Sequence, residues 1–113
     1  MPAAVFAQNP DYVDYTPTAD VDAGDVIVVG DLVMVAPRPI RANTLGALAA
    51  QGIFDVAKTV ATGSAITMGA EVYWDATNHV ATTNSNTGAN KLMGKCSMAA
   101  ADTDATVRVR LHQ

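Results

Sequence analysis

Too little is present here for most kinds of chemistry. A single cysteine, Cys96, rules out an internal disulfide and any site built from several thiolates. Close to Met93 and Met98, it reads as a small buried apolar residue rather than a reactive thiol. The two histidines, His79 and His112, are too few for a zinc centre and read as exposed side chains. Seven Lys and Arg against eleven Asp and Glu leave a net charge of −4. Asp11, Asp14, Asp20, Asp22 and Asp25 all precede the first cation, Arg38. Nucleic-acid binders need a basic patch to neutralise phosphates, so this balance argues against one. No apolar run approaches the roughly 20 residues of a membrane helix. The start, MPAAVFAQNP, lacks the basic segment and long apolar core of an export signal, so the product is expected to be made and used without export. Bulk is scarce as well, with two Phe and one Trp among 113 residues. One domain with a modest core of Ala and Val is expected, and oligomerisation would add burial.

What is present is a pattern of short strands. The stretch AGDVIVVGDLVMVAP reads as strands at Val26–Val29 and residues 32–36, with Gly30-Asp31 as a two-residue turn. Forty-five residues on, MGAEVYWDATNHVAT repeats the layout. Gly69 stands where Gly24 did, Val72-Tyr73-Trp74 replaces Ile27-Val28-Val29, and Val80-Ala81 replaces Val35-Ala36. Residues 1–22, with Pro2, Pro10 and Pro17, read as an extended arm ahead of a single β domain at 23–113. Within the arm, Tyr12, Val13 and Tyr15 form an edge strand that pairs with its own sheet or a neighbouring subunit; disorder is the competing reading for the first ten residues. Residues 44–59 carry some helical spacing, but Gly46 and Gly52 weaken a helix, and two strands or one bent strand bulged at Gly52 fit better. Residues 65–69 read as a helical turn or a loop, residues 82–90 as a mobile surface loop, and residues 91–101 as a strand bulged at Gly94. The clearest alternation comes last: Val107, Val109 and Leu111 on one face, Thr106, Arg108, Arg110 and His112 on the other. The fold class is all-β, a small compact barrel or sandwich of short antiparallel strands with an extended N-terminal arm.

No arrangement of residues in the sequence reads as a reaction centre. Residues 88–95, GANKLMGK, have the wrong spacing for a phosphate loop, and no G-x-S-x-G elbow occurs. Asp20, Asp22 and Asp25, or Asp102 and Asp104, could ligate calcium through oxygen, but neither group has a known loop spacing, and Asp is common in turns for other reasons. Arg38 and Arg41 are expected to pair with the aspartates upstream, and the strip formed by Arg108, Arg110 and Lys95 to answer the acidic arm. No enzyme activity, cofactor or metal is expected. A carbohydrate-binding accessory domain, with Trp74, Tyr73 and residues 82–90 as a sugar platform, is an alternative, although a lone Trp in an Ala-Val-rich domain is more often core.

The segments AGDVIVVGDLVMVA, QGIFDVAK, GAEVYWDATNHVATT and KLMGKCSMAAADTDATVRVRL closely resemble a family of small tailed-phage proteins. That family was long catalogued as a domain of unknown function, and its members are now generally regarded as capsid decoration, or cement, proteins. The resemblance spans residues 12–111 and is most specific at residues 69–75 and 104–111. It implies a β-rich homo-oligomer, a homotrimer, that binds the major capsid protein on the outside of an icosahedral head. A head fibre or tail component is the alternative within the same particle. Some members carry a recombinase-like label, which a chain without a phosphate loop or basic excess does not support. Tyr12, Val13 and Tyr15 are the candidate capsid or subunit contacts.

Overall fold

Gly30 is the residue on which the first hairpin turns. Its φ of 59° is easily adopted without a Cβ, and a Gly-Asp pair at the tip lets Val26–Val29 (β2) fold back on Leu32–Val35 (β3) in register, Val29 opposite Leu32. The structure, a computed structural model, describes residues 3–4 and 11–112; most of the reading made for the first ten residues lies outside them. The remaining strands are Tyr12–Tyr15 (β1), Gly46–Ala49 (β4), Gly52–Ala57 (β5), Glu71–Asp75 (β6), Val80–Thr82 (β7), Lys91–Met98 (β8) and Thr106–Leu111 (β9). They form two antiparallel sheets, ordered β1-β4-β3-β2 and β5-β9-β8-β6-β7, so the chain is all-β as expected. The segment with helical spacing is indeed two strands, and they fall in different sheets, with Ala50 and Gln51 crossing between them.

The two sheets are two copies of one plan. Each is a Greek key in which the first strand returns beside the last, 1-4-3-2 in one half and 5-9-8-6 in the other. The agreement extends to individual hydrogen bonds. Val21 and Ile40 exchange both backbone bonds, at 2.8 and 2.9 Å, and Ile66 and Ala100 do the same at 2.9 and 2.9 Å. A turn follows each bridge, closed by Asp25 N–H to Asp22 C=O in one half and Ala70 N–H to Thr67 C=O in the other, both 3.1 Å. Gly24 (φ 89°) then donates to Ala36 C=O, and Gly69 (φ 86°) donates to Cys96 C=O. Ala36 N–H returns to Asp25 C=O as Cys96 N–H returns to Ala70 C=O, each at 2.9 Å.

These bonds correct part of the repeat seen in the sequence. Gly69 does match Gly24, but the counterpart of Val35-Ala36 is Lys95-Cys96 on β8, not Val80-Ala81. The second copy spends fifteen extra residues on the β6–β7 reversal and the loop after it, since Gly24 to Gly69 is 45 positions and Ala36 to Cys96 is 60. Thr82 closes β7, residues 83–90 form a largely exposed loop holding a short 3₁₀ turn at Asn86–Gly88, and residues 65–69 are a loop rather than a helical turn.

Each half wraps its own apolar core. In the first, Met34, Ala36 and Leu48 meet Val21 and Ile40. In the second, Cys96, Val109 and Met93 meet Ile66, Ala100, Val72 and Trp74. The halves join because β3 is buried on both faces: Met34 turns into the first core while Val33 and Val35 turn into the second. β3 thereby packs on β8, its own counterpart. The second sheet also curls until its outer strands touch, through a single parallel bridge between Lys58 and Ala81.

The bulge expected at Gly94 lies one residue earlier. Val72 faces Gly94 and Tyr73 faces Leu92, which leaves Met93 as the extra residue; another, Ser97, is skipped between Cys96–Val109 and Met98–Arg108. Gly94 has a different task, because a Cβ there would run into the carbonyl of Arg110 on β9.

Candidate interaction surface

β1 stands at the end of its sheet, paired in register with β4 from Tyr12–Ala49 to Tyr15–Gly46. Strand alternation splits the three candidate contact residues between its two faces. Val13 and Tyr15 are half-buried against the first core, where they cover Leu48 and its neighbours. Tyr12 is 53% exposed and stands between two open grooves. One groove, of about 380 Å³, is shared with Asp11, Ile53, Arg110 and His112; the other, of about 450 Å³, with Pro37, Pro39, Ile40 and Ala47. Ile53, itself 60% exposed, holds the position on β5 that Tyr12 holds on β1, as the pairings Tyr12–Ala49 and Ile53–Arg110 show. The structure thus brings Tyr12 together with Ile53, a residue the sequence marked only as part of a strand. Exposed apolar side chains also occur at Leu45, Val60, Met68 and Met98.

The charges are arranged differently from expectation. Among the described residues the ion pairs are Lys91–Asp31 at 2.9 Å and Arg108–Asp55 at 2.9 Å. Arg108 therefore answers the aspartate directly opposite it on β5 rather than the acidic N-terminal segment, because cross-strand register places the two side by side. Its guanidinium holds the Asp55 carboxyl below the usual carboxylate range, as the Lys91 ammonium does for Asp31. Arg38 and Arg41 have no carboxylate within pairing distance among the described residues. Asp20 instead accepts from Ala42 N–H at 2.8 Å, fastening the segment before β2 to the turn before β4.

The other acidic residues do similar local work. Asp25 accepts from Asp22 N–H, Asp102 from Ala65 N–H and Asp104 from Ala101 N–H. Asp75 accepts from Thr77 N–H, Asn78 N–H and the Asn78 side chain, and these bonds lower its pKa. Among the described residues no group of three or more His, Cys, Asp or Glu is placed to hold a metal ion. Trp74, at 7% exposure, belongs to the second core with His79 edge-on at 6.2 Å, so it offers no flat face to a sugar. Tyr73 donates its hydroxyl to Glu71 at 2.9 Å, which raises its pKa. Cys96 is buried and its thiol lies 3.1 Å from the Met98 carbonyl.

What remains is a rigid β body with an edge strand, shallow grooves and scattered apolar side chains, which suits contact with another large surface better than turnover of a small molecule. No curated protein and no solved structure matches the chain. One protein family does, described as phage cement protein, and its model matches residues 7–111. That span includes every strand of the described residues and both halves, and the chain accordingly belongs to the phage cement protein family, whose role is structural and tied to the phage capsid.

Proposed function

We propose that this protein decorates the outer surface of a tailed-phage head, where it binds the major capsid protein as a homotrimer and holds neighbouring capsid subunits together. It would be made in the host cytoplasm and would act in the virion, without nucleic acid or membrane as a partner. The observation that carries this reading is the family match across the whole double Greek key. Physical sense supports it. A weak contact made once does little, but three linked contacts raise avidity by about 10²-fold or more where geometry lets all three engage.

Within this reading β1 is the segment that meets the shell, since an edge strand can extend its sheet with a strand from a partner. Tyr12 would supply the outward anchor, and Val13 and Tyr15 would hold the strand in place from beneath. The decisive experiment is the copy number of this chain in purified virions, by quantitative mass spectrometry against the major capsid protein. A ratio near one to one supports decoration, a few copies per particle assigns the chain to a fibre or tail, and absence from the virion defeats the reading. Tyr12→Ala then tests the contact itself, with rebinding to heads stripped of the protein expected to weaken about tenfold for loss of an aromatic anchor. Unchanged rebinding by the folded variant would remove Tyr12 from the interface. Deleting all of β1 is a poorer test, because it uncovers Leu48 and disturbs the fold.

A further inference from the structure

The fifteen residues that distinguish the second half cover a charge. Lys58 follows β5 and is only 5% exposed, the one polar or charged residue buried to that degree among the described residues. Its Nζ donates to Thr59 C=O at 2.7 Å and to Ser64 Oγ at 2.9 Å. Ser64 Oγ in turn donates onward to the Ala61 carbonyl at 2.6 Å. Both acceptors of the ammonium are neutral, and no described carboxylate lies within 4.0 Å of it. An ammonium has three protons, so one is left without an acceptor among the described residues.

Beside Lys58 is a cavity of about 140 Å³ at the seam where the second sheet closes on itself. β7, the reversal before it and the residue after it form the far wall, including Asn78, Thr82 and Thr83. Asp75 also lines it, ionised but not within 4.0 Å of Nζ; its Oδ1 accepts from Thr77 N–H and Asn78 N–H and its Oδ2 from the Asn78 side chain, which leaves Oδ2 able to accept once more. Gly63, Asn78 and Thr83 are exposed, so the cavity is reached from solvent. The first half supplies the control. There the matching position is Pro17, two residues beyond β1 as Lys58 is two residues beyond Val56; it is buried too, but uncharged and without an added hairpin over it.

An ammonium this buried, with two neutral acceptors and no carboxylate within 4.0 Å, gains from a counter-charge that reaches it directly. We propose that this cavity binds a small oxyanion, a carboxylate or a phosphate, one oxygen of which accepts the remaining Nζ proton of Lys58, with the Thr83 hydroxyl available as a second donor. The volume suits one such group and falls below the roughly 300 Å³ at which pockets for larger metabolites begin. The site stands apart from the β1 surface and does not depend on the capsid reading.

Thermal unfolding of the full chain at constant ionic strength provides the test, with chloride replaced stepwise by inorganic phosphate or by acetate. Mass action predicts a Tm that climbs with the logarithm of anion concentration once the site begins to fill. Lys58→Met keeps the length of the side chain and removes the charge, and should abolish that climb. Phosphate acting alone assigns the site to the free ion; acetate acting as well assigns it to carboxylates, as an acidic side chain of a partner would present. No response to either anion, or the same response in Lys58→Met, overturns the proposal, the second because phosphate also stabilises proteins by exclusion from their surface. Should Lys58→Met fail to fold, amide NMR of the unaltered protein decides. Phosphate-dependent shifts confined to residues 58–66 and 75–83 support the site, and shifts elsewhere or none reject it.

Discussion

The two halves of this molecule share a strand order, matched backbone hydrogen bonds and matched buried positions, yet they are not equally self-sufficient. The first half has a core of Val21, Met34, Ala36, Ile40 and Leu48, and a second apolar face on β3 that it cannot cover by itself. The second half adds Trp74, Met93 and β7, curls until Lys58 meets Ala81, and absorbs that spare face through Val33 and Val35. The shared features are few and local: a glycine at positive φ, a small residue opposite it at Ala36 or Cys96, and a bridge four residues further on. Those suffice to set topology. Core volume is a separate property, supplied here by Trp74 and Met93 together with the β7 strand that a fifteen-residue addition brings to one copy only.

The sharpest way to break the parallel is at Gly94. Counting back from Cys96 as from Ala36, Gly94 occupies the place of Met34, so one half tolerates a large side chain where the other tolerates none. The bulge explains this: with Met93 as the extra residue, the methionine that fills the core has moved one position along, and the backbone behind it lies against β9. Gly94→Ala should therefore cost about 3 kcal/mol or more, the upper end of overpacking, because its collision is with a carbonyl and not a flexible side chain. Urea unfolding measures it. A variant within about 1 kcal/mol of the parent, the low end of such changes, would mean that β8 and β9 separate more readily than this packing allows.

Met34 and Met93 give a paired test of dependence. Both are essentially inaccessible, and truncation of either to alanine should cost about 2–5 kcal/mol. The distribution should differ. Met93 belongs to the core that holds both halves, so Met93→Ala should raise amide exchange throughout, whereas Met34→Ala should raise it chiefly in β1 to β4. Equal acceleration everywhere by both variants would show that the halves open only together.

Much of the local structure was legible from the residues. Both hairpins, the division of residues 44–59 into two strands and the alternation of Val107, Val109 and Leu111 all follow from glycine placement and period-two patterning. The repeat was legible only as far as its spacing was constant: Gly24 and Gly69 declare themselves, but a fifteen-residue insertion between paired strands breaks any fixed offset, and the match to β8 emerges only from hydrogen bonds. Lys58 was illegible as a buried residue, because burial there arises from β7 arriving parallel to it from more than twenty positions away. The charge pairing failed for a related reason. Proximity in sequence suggested that Arg38 and Arg41 answer the early aspartates, while register across β5 and β9 decided which aspartate Arg108 meets. For the candidate contacts, alternation within β1 could be read, but the grooves beside Tyr12 depend on segments distant in the chain.

That register offers the smallest and most specific contrast between the halves. Asp55 faces Arg108 on β9, and the matching Asp14 faces Ala47 on β4. Arg108 lowers the Asp55 pKa below its ordinary 3.8, so in acid the unfolded chain takes up this proton before the folded one does. The pair's contribution is therefore complete above about pH 4 and is lost as pH falls through the lower folded value. Asp55→Asn should lower Tm slightly at pH 7 and converge with the parent as pH falls through the lowered folded-state pKa of Asp55. Both residues are well exposed, so the difference should shrink in high salt. Ala47→Arg runs the experiment in reverse by giving Asp14 the partner that Asp55 has. If the two strand pairs are equivalent, this variant gains a small stabilisation that disappears over the same acid range and is abolished by Asp14→Asn. A gain that persists in the double variant would come from the arginine stem covering apolar surface, and would mean that the equivalence of β1–β4 with β5–β9 is one of backbone alone.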